Sequence, residues 1–282
     1  MNWRQVTEAD LGWVEAFLRD HVQSSMFLLG NLSSAGLNGD GPYGTRLWCQ
    51  TGGARGLFGV TNSGYILLQA PRATSEDWQA TESFWRDLDL AGCSGEARQV
   101  ADFLDATGLR QRPMALNPDE PGYALLLELL KMPECSGFSM VPVSEGNRAL
   151  TEGWRAAFHR EVLGTPDARC VEAAKTDIGN FIARDSHRVL MRDDVPVAMT
   201  GFNAQVPDVV QIGAVFTPPE LRGQGLARRA VALHLAEACS KGVTQAILFA
   251  ANAAAARAYE AIGFERRGSM SMAMFHSEED AA

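Results

Sequence analysis

The sequence predicts an α/β protein of the α+β type, built from two domains, each with a mixed, mostly antiparallel sheet flanked by helices. Three observations carry that prediction. Short apolar and β-branched runs separated by Gly-, Asn- or Asp-bearing turns form two meanders, at 46–69 and at 187–216. A pair of segments with helical spacing precedes each meander, and further helix follows it. The chain has 282 residues, long for a single core and ordinary for two.

In the first half, Leu11, Val14, Phe17 and Leu18 recur at helical spacing behind a Thr7–Asp10 cap region. A short helix over 24–32 comes next, then strands at 46–50, 56–61 and 65–69. Helices at 76–90 and 96–107 follow, the second stopped by Gly108, and an apolar run at 123–131 supplies one more strand. Met132-Pro133-Glu134-Cys135-Ser136-Gly137 breaks the pattern and reads as a linker, giving domains at 1–134 and 135–282.

The second half repeats the outline. A strand at 138–143 leads into helices at 147–162 and 168–183. Strands at 187–192, 195–203 and 209–216 form the meander, with Asp193-Asp194 as a two-residue turn. A glycine-rich bend opens a helix at 226–240. Strand 244–249, helix 253–262 and a last strand near 269–275 complete it, and the tail Ser277–Ala282 reads as frayed. The shared outline suggests an old duplication, although the halves show no evident identity.

Composition bounds the function. Hydrophobic residues make up 46% and charged residues 21%, as in an ordinary globular protein. No apolar run is long enough for a membrane span. The first ten residues lack the layout of a signal peptide, so the expected location is the cytoplasm. The net charge is −9, with ten basic and seventeen acidic residues up to residue 135 and fifteen and seventeen beyond it. That acidic balance argues against a general nucleic-acid binder but leaves room for a local phosphate site in the second half. Five cysteines, at 49, 93, 135, 170 and 239, form no CxxC pair and read as reduced, packed thiols. The histidines show no metal-ligand spacing, and no metal is expected.

The informative stretch runs from Val209 to Arg229. A strand ends at Pro218-Pro219, Arg222-Gly223-Gln224-Gly225 turns tightly, and a long helix begins at Leu226. Two glycines let the backbone turn and approach a ligand closely. The unpaired amides of the helix start, with its dipole, make a site for an anion such as a diphosphate. Arg222, Arg228 and Arg229 add positive charge. The lysine of a P-loop is missing, and Arg228 stands where a dinucleotide-binding fingerprint needs its third glycine. By itself the glycine pair also fits a plain strand–helix turn.

This stretch resembles motif A of the GNAT superfamily, the CoA-dependent N-acetyltransferases. That motif is [QR]-x-x-G-x-[GA], and Arg222, Gly225 and Ala227 stand at its fixed positions. The lead-in from Val215 to Leu221 is similar to the V-[YF]-T-P-P branch. Downstream, Asn252 to Phe264 resembles the superfamily's N-x-x-A-x-x-x-Y-x-x-x-G-F block. Ala250-Ala251, just before it, is bland where relatives often carry a polar residue. The first half is then a degenerate GNAT-like domain, since Ala70-Pro71-Arg72-Ala73-Thr74-Ser75-Glu76-Asp77 lacks glycine and carries two acids.

The resemblance implies two GNAT-like domains, the second binding acetyl-CoA as co-substrate. It implies that amides of Gly223, Gln224, Gly225, Leu226, Ala227 and Arg228 hold the diphosphate, that Val215, Phe216 and Thr217 pair with the pantetheine arm, and that an amide near Val215 polarises the thioester carbonyl. Asn252 would bond the pantetheine or phosphate region, and Tyr259 would protonate the departing thiolate. The plainer readings are an N-cap for Asn252 and a packed aromatic for Tyr259. No cysteine sits where its thiolate would be favoured, so direct attack by an amine is expected rather than an acyl-enzyme. Glu161, Asp208 and His159 are candidate bases, with Glu161 first. Gln211 is a polar residue in the key strand, and Trp154 and Phe158 would line an acceptor pocket. The acceptor is a small-molecule or peptide amine, and a homodimer is left open. A non-catalytic acyl-CoA sensor is the rival, and a structural module built on two inactive domains is a third reading.

Overall fold

The computed structural model describes residues 3–52, 56–116 and 119–276. In chain order these form β1 (Trp3–Gln5), α1 (Leu11–Asp20), α2 (Val22–Ala35), β2 (Thr45–Gln50), β3 (Leu57–Thr61), β4 (Tyr65–Gln69), α3 (Ser75–Ala80), β5 (Gly92–Glu96), α4 (Ala97–Ala106), β6 (Met114–Leu116) and β7 (Asp119–Leu126). Then come β8 (Phe138–Pro142), α5 (Arg148–Phe158), α6 (Asp167–Ala183), β9 (His187–Arg192), β10 (Val195–Gln205), β11 (Val209–Phe216), α7 (Leu226–Ser240), β12 (Gln245–Phe249), α8 (Ala253–Glu260) and β13 (Glu265–Phe275). The expected frayed tail lies outside the described residues.

The chain divides into two compact units. One holds the residues up to Glu120 together with those from Gly268 onward, and the other holds Pro121–Arg267. The boundary expected at 134/135 therefore differs from the observed one. The reason is strand pairing. In the second unit β7 pairs antiparallel with β12, Tyr123 opposite Leu248, so the strand before the 132–137 run already belongs to that sheet. In the first unit β13 takes the corresponding place and pairs antiparallel with β5, Met272 opposite Ser94. Each unit thus covers the far edge of its parallel strand with a strand from outside its own helix–meander run.

The strands of both units follow one scheme. In the first unit β1 to β4 run antiparallel in order, β4 pairs parallel with β5, and β13 closes. In the second, β8 to β11 run antiparallel in order, β11 pairs parallel with β12, and β7 closes. Asp193 and Asp194 both take left-handed backbone angles (φ 50° and 62°) in the turn that sets Arg192 opposite Val195.

The first unit departs from expectation at the helix expected over 76–90 and at strands β1, β5 and β6, none of which was expected. The helix expected over 76–90 stops at Ala80. There the buried Thr81 hydroxyl donates at 2.6 Å to the Trp78 carbonyl, which a continued helix would use for its next backbone bond, and accepts from the Trp85 indole at 3.0 Å. Strand β5, Gly-Cys-Ser-Gly-Glu, lacks a strand-like composition; it fits because a Cβ on Gly95 would lie 2.8 Å from the Leu68 carbonyl oxygen. The core is aromatic, with Trp3, Trp48, Phe58, Trp78, Trp85 and Phe103 buried together.

The second unit packs helices on both sheet faces. Alternation along β9 sends Val189 to the α5–α6 side, with Trp154 and Ile178, and Leu190 to the α7 side, with Leu226 and Ala230. Buried Arg188 in β9 donates to Glu237 of α7 at 2.8 and 3.0 Å, which fixes α7 on the sheet and hence the loop at its start. The Arg188 hydrogen bonds pull the Glu237 carboxyl down to about 2.

Two histidines of this unit are buried as neutral rings. His187 stacks on Phe181 with centroids 3.4 Å apart, and His234 on Phe202 at 3.9 Å. Burial, with Arg188 and Lys241 adding to it against Glu237 and Asp185, pushes His234 down to about 3. A folded-state value below the unfolded one makes the unfolded chain bind more protons, so stability falls as pH drops below about 6.5 toward 3. We expect His234→Leu to lessen the loss of stability between pH 7 and pH 5 by about 2 kcal/mol in urea titrations. The same pH slope in the variant would show that His234 is not responsible.

Candidate active site

The site begins with a break in a ladder. The parallel pairing of β11 with β12 runs from Val209 opposite Gln245 to Gln211 opposite Ile247 and stops there, although β11 continues to Phe216. On its other edge β11 stays paired with β10, with one extra residue between the Gly213–Gly201 and Phe216–Met199 pairs. Ala214 takes that bulge in the left-handed region, φ 51°. The bulge re-aims the backbone of Val215 and Phe216 where β12 has left the strand. A Cβ at Gly213 would meet the Asn203 carboxamide, so a larger residue here needs that exposed side chain to move aside.

Pro218 ends the strand, residues Pro219–Leu221 make one 3-10 turn, and Arg222 is extended. Gly223 (φ 79°) and Gly225 (φ 70°) then turn the chain into α7, with Gly225 as the N-cap. The first helical bond there runs from the Arg229 amide to the Gly225 carbonyl at 3.3 Å, so the amides of Leu226, Ala227 and Arg228 lack intrahelical acceptors. Arg229 is a strut. Its guanidinium donates to the Glu134 carbonyl at 2.7 Å and the Gln224 carbonyl at 2.9 Å. Arg228 is different: its Nε is buried and has no hydrogen-bond partner among the described residues.

Helix α8 supplies the facing wall. The Asn252 carboxamide oxygen accepts from the amides of Ala254 (3.1 Å) and Ala255 (3.0 Å), so the N-cap reading is realised. Two turns on, Tyr259 is buried with its ring edge-on to Phe264 at 6.1 Å.

These pieces border one cleft of about 610 Å³. Val215, Phe216, Thr217, Arg222, Gly223, Gly225, Leu226, Ala227, Arg228, Asn252, Tyr259 and Glu161 all line it. Gln224 does not; its side-chain oxygen accepts from Arg192 at 3.0 Å, which leaves its backbone to the loop. Of the other acceptor-side candidates, Phe158 lines the cleft, whereas Trp154 is buried against Phe216 and Gln211 is buried in β11. Val162, Leu221 and Arg257 also line it and were not singled out from the sequence. Arg257 faces the cleft from α8, but nothing in an alanine-rich helix marks which face it takes.

The three base candidates separate. Asp208 stands just before β11, at the end of the strand opposite the proline turn, where its carbonyl accepts from Thr244 and Gln245. His159 is buried, its Nε2 2.9 Å from Asp177 and its Nδ1 2.9 Å from Thr165 Oγ1. Burial opposes charge on Asp177, but hydrogen bonds from His159 and Arg155 outweigh it and hold the carboxyl below the usual range. This network anchors a π-helical turn, His159–Leu163, whose Glu161 and Val162 line the cleft. Glu161 is therefore the candidate at the cleft, and there it pairs with Arg222 at 2.6 Å.

The donor set suits a diphosphate-bearing ligand: a loop turned by two left-handed glycines, three helix-start amides without intrahelical acceptors and, among the described residues, an unpartnered Arg228 Nε. Among the described residues no group of three or more His, Cys, Asp or Glu side chains is placed to hold a metal ion. No helix among them is long and apolar enough to cross a membrane.

Residues 149–264 match the acetyltransferase (GNAT) family. The chain thus carries a domain of the GNAT acetyltransferase family, in the unit that holds the cleft. No curated protein matches the sequence. Among solved structures, a Drosophila protein is 13% identical with a TM-score of 0.64, covering 96% of this chain and 98% of its own. A GCN5-related N-acetyltransferase from Sphaerobacter thermophilus is 15% identical with a TM-score of 0.56, covering 96% and 94%. A tandem GNAT protein from the clavulanic acid biosynthesis pathway is 15% identical with a TM-score of 0.53, covering 98% and 99%. At these identities the likeness is one of fold.

Aspartate tolerates the left-handed region better than most residues, so Gly225→Asp is expected to fold while placing a carboxylate at the anion site. We predict a loss of CoA affinity of about 100-fold or more by calorimetry. Wild-type affinity in a folded variant would refute the loop as the diphosphate site.

Proposed function

We propose that the chain is an acyl-CoA-dependent N-acyltransferase that passes an acetyl group from acetyl-CoA to a primary amine, both being bound together. What supports the reading is one juxtaposition. The glycine loop, the open edge of β11 and the Asn252–Tyr259 face of α8 border a single cleft.

Acetyl-CoA supplies an activated thioester. The chain's residues do the rest. The amides from Gly223 to Arg228 and the Arg228 guanidinium would hold the diphosphate. The β11 edge at Val215–Thr217 would pair with the amide groups of the pantetheine arm, as a strand would. The amide near Val215, turned out by the bulge, would donate to the thioester oxygen as charge develops there. Glu161 would take the proton the amine loses, and Tyr259 would give one to the departing sulfur. Its burial in the cleft wall keeps Tyr259 out of bulk water. The first unit serves no coenzyme in this reading: its α3 start is closed by a Thr74–Asp77 capping box, and the amide after β4 is bonded to Gln99 at 2.6 Å.

The test has two stages. Calorimetry should show CoA and acetyl-CoA binding, and a panel of primary amines (ethanolamine, tyramine, spermidine) should then give amine-dependent thiol release. Binding without such release from a broadened panel would count against the transferase and favour a coenzyme sensor. Tyr259→Phe should lower kcat by about 10²-fold or more while leaving CoA affinity within about twofold. Undiminished turnover would remove its acid role.

A further inference from the structure

One contact joins the residue proposed as base to the loop proposed to hold the coenzyme. Glu161 Oε2 and Arg222 Nη2 lie 2.6 Å apart, with the two side chains 39% and 48% exposed. Arg222 also donates from Nε to the Thr217 carbonyl at 3.0 Å, and its guanidinium lies over the Phe216 ring at 5.8 Å. The guanidinium is therefore held at the strand–loop junction by one fixed bond, while its far end is committed to a carboxylate. Arg229, one helical turn into α7, is spent on backbone carbonyls and does not line the cleft.

We infer that Glu161 occupies Arg222 as an internal stand-in for a phosphate, and that coenzyme binding transfers Arg222 from Glu161 to the diphosphate. Arg222 is then a positioning residue, acting on the reaction through Glu161. Before binding, the carboxylate is tied to a cation. After binding, it is released beside Phe158 and Val162, on the wall that faces the acceptor. The inference rests on the coenzyme site proposed above.

The physics fixes both sign and size. A ligand that must displace an internal ion pair binds more weakly by what that pair is worth, and a half-exposed pair is worth little. Removing the Glu161 charge should therefore tighten CoA binding by about two- to fivefold. A carboxylate near any polyanion would also repel it through space, with or without Arg222. The double-mutant cycle separates the two causes.

Calorimetric titrations with CoA would be run on the wild-type protein, Glu161→Gln, Arg222→Gln and the double variant. Glutamine is the other residue allowed at the motif position of Arg222, and both sites are partly exposed, so the variants should fold. We expect Glu161→Gln to tighten CoA about two- to fivefold in the wild-type background and to have no effect in the Arg222→Gln background. Equal tightening in both backgrounds, or tightening in neither, would overturn the exchange and leave the coenzyme site standing. No binding heat from the wild-type protein would remove both.

Discussion

The second unit depends on one strand leaving its neighbour. Beyond Gln211, β11 keeps its ladder to β10 and gives up its ladder to β12. Buried backbone groups without partners are costly, so such an opening persists only if the remaining edge is firmly held and the freed groups face something polar. The hold is visible. β10 pairs on the far side through a bulge that Ala214 enters in the left-handed region, Arg188 and Glu237 fix α7 to β9, and Phe216 is packed with Trp154, Val189 and Met199. The freed edge then borders the same cleft as the amides at the start of α7 that lack intrahelical acceptors. A strand edge and a helix start in one cleft suit a long ligand with amide groups along it and an anion at one end.

The first unit shows the same outline closed. Its parallel pair β4–β5 runs to Leu67 opposite Ser94, two residues short of the end of β4, whereas β11 continues five residues past its last partner. The next amide, that of Ala70, is taken by buried Gln99, and buried Gln69 accepts from Ser24 and Ser25. These two groups are satisfied from within. The bulge, the paired glycines and the open wedge go together in one unit and are absent together among the described residues of the other. That concurrence argues that they form one device rather than three independent turns.

The sheet and the site were legible to different degrees, for physical reasons. The second meander and α7 came out nearly residue for residue, because alternation, the Asp193-Asp194 turn and the Gly225 cap are local signals. Strands β1, β5 and β6 were missed because what makes them strands is pairing with other segments, β1 with β2, β5 with β4 and β13, and β6 with β13, and not their own composition. The domain boundary went astray for the same cause. A Pro-Gly-rich stretch is a local sign of a linker, but β7, which precedes it, is claimed by β12. At the site, the glycine loop, Asn252 and Tyr259 could be found from sequence because spacing along a turn or helix carries their placement. The Glu161–Arg222 contact could not, since it joins residues on different elements.

That contact also changes what it means to look for a base. A carboxylate is recognised as a candidate by lying in a cleft, but its availability depends on the cation it already has. Asp177 and His159 satisfy each other behind the π-helical turn, and their work is to hold the turn in place. Glu161, on the open side of that turn, has Arg222 as its ion-pair partner among the described residues, a side chain that the loop itself places beside the cleft. An exposed pair of this kind is weak enough to exchange partners and close enough to do so within one side chain's reach. The buried pair keeps the wall rigid and the exposed pair is free to part, so a single helical turn supplies both the fixed and the exchangeable contacts of the cleft.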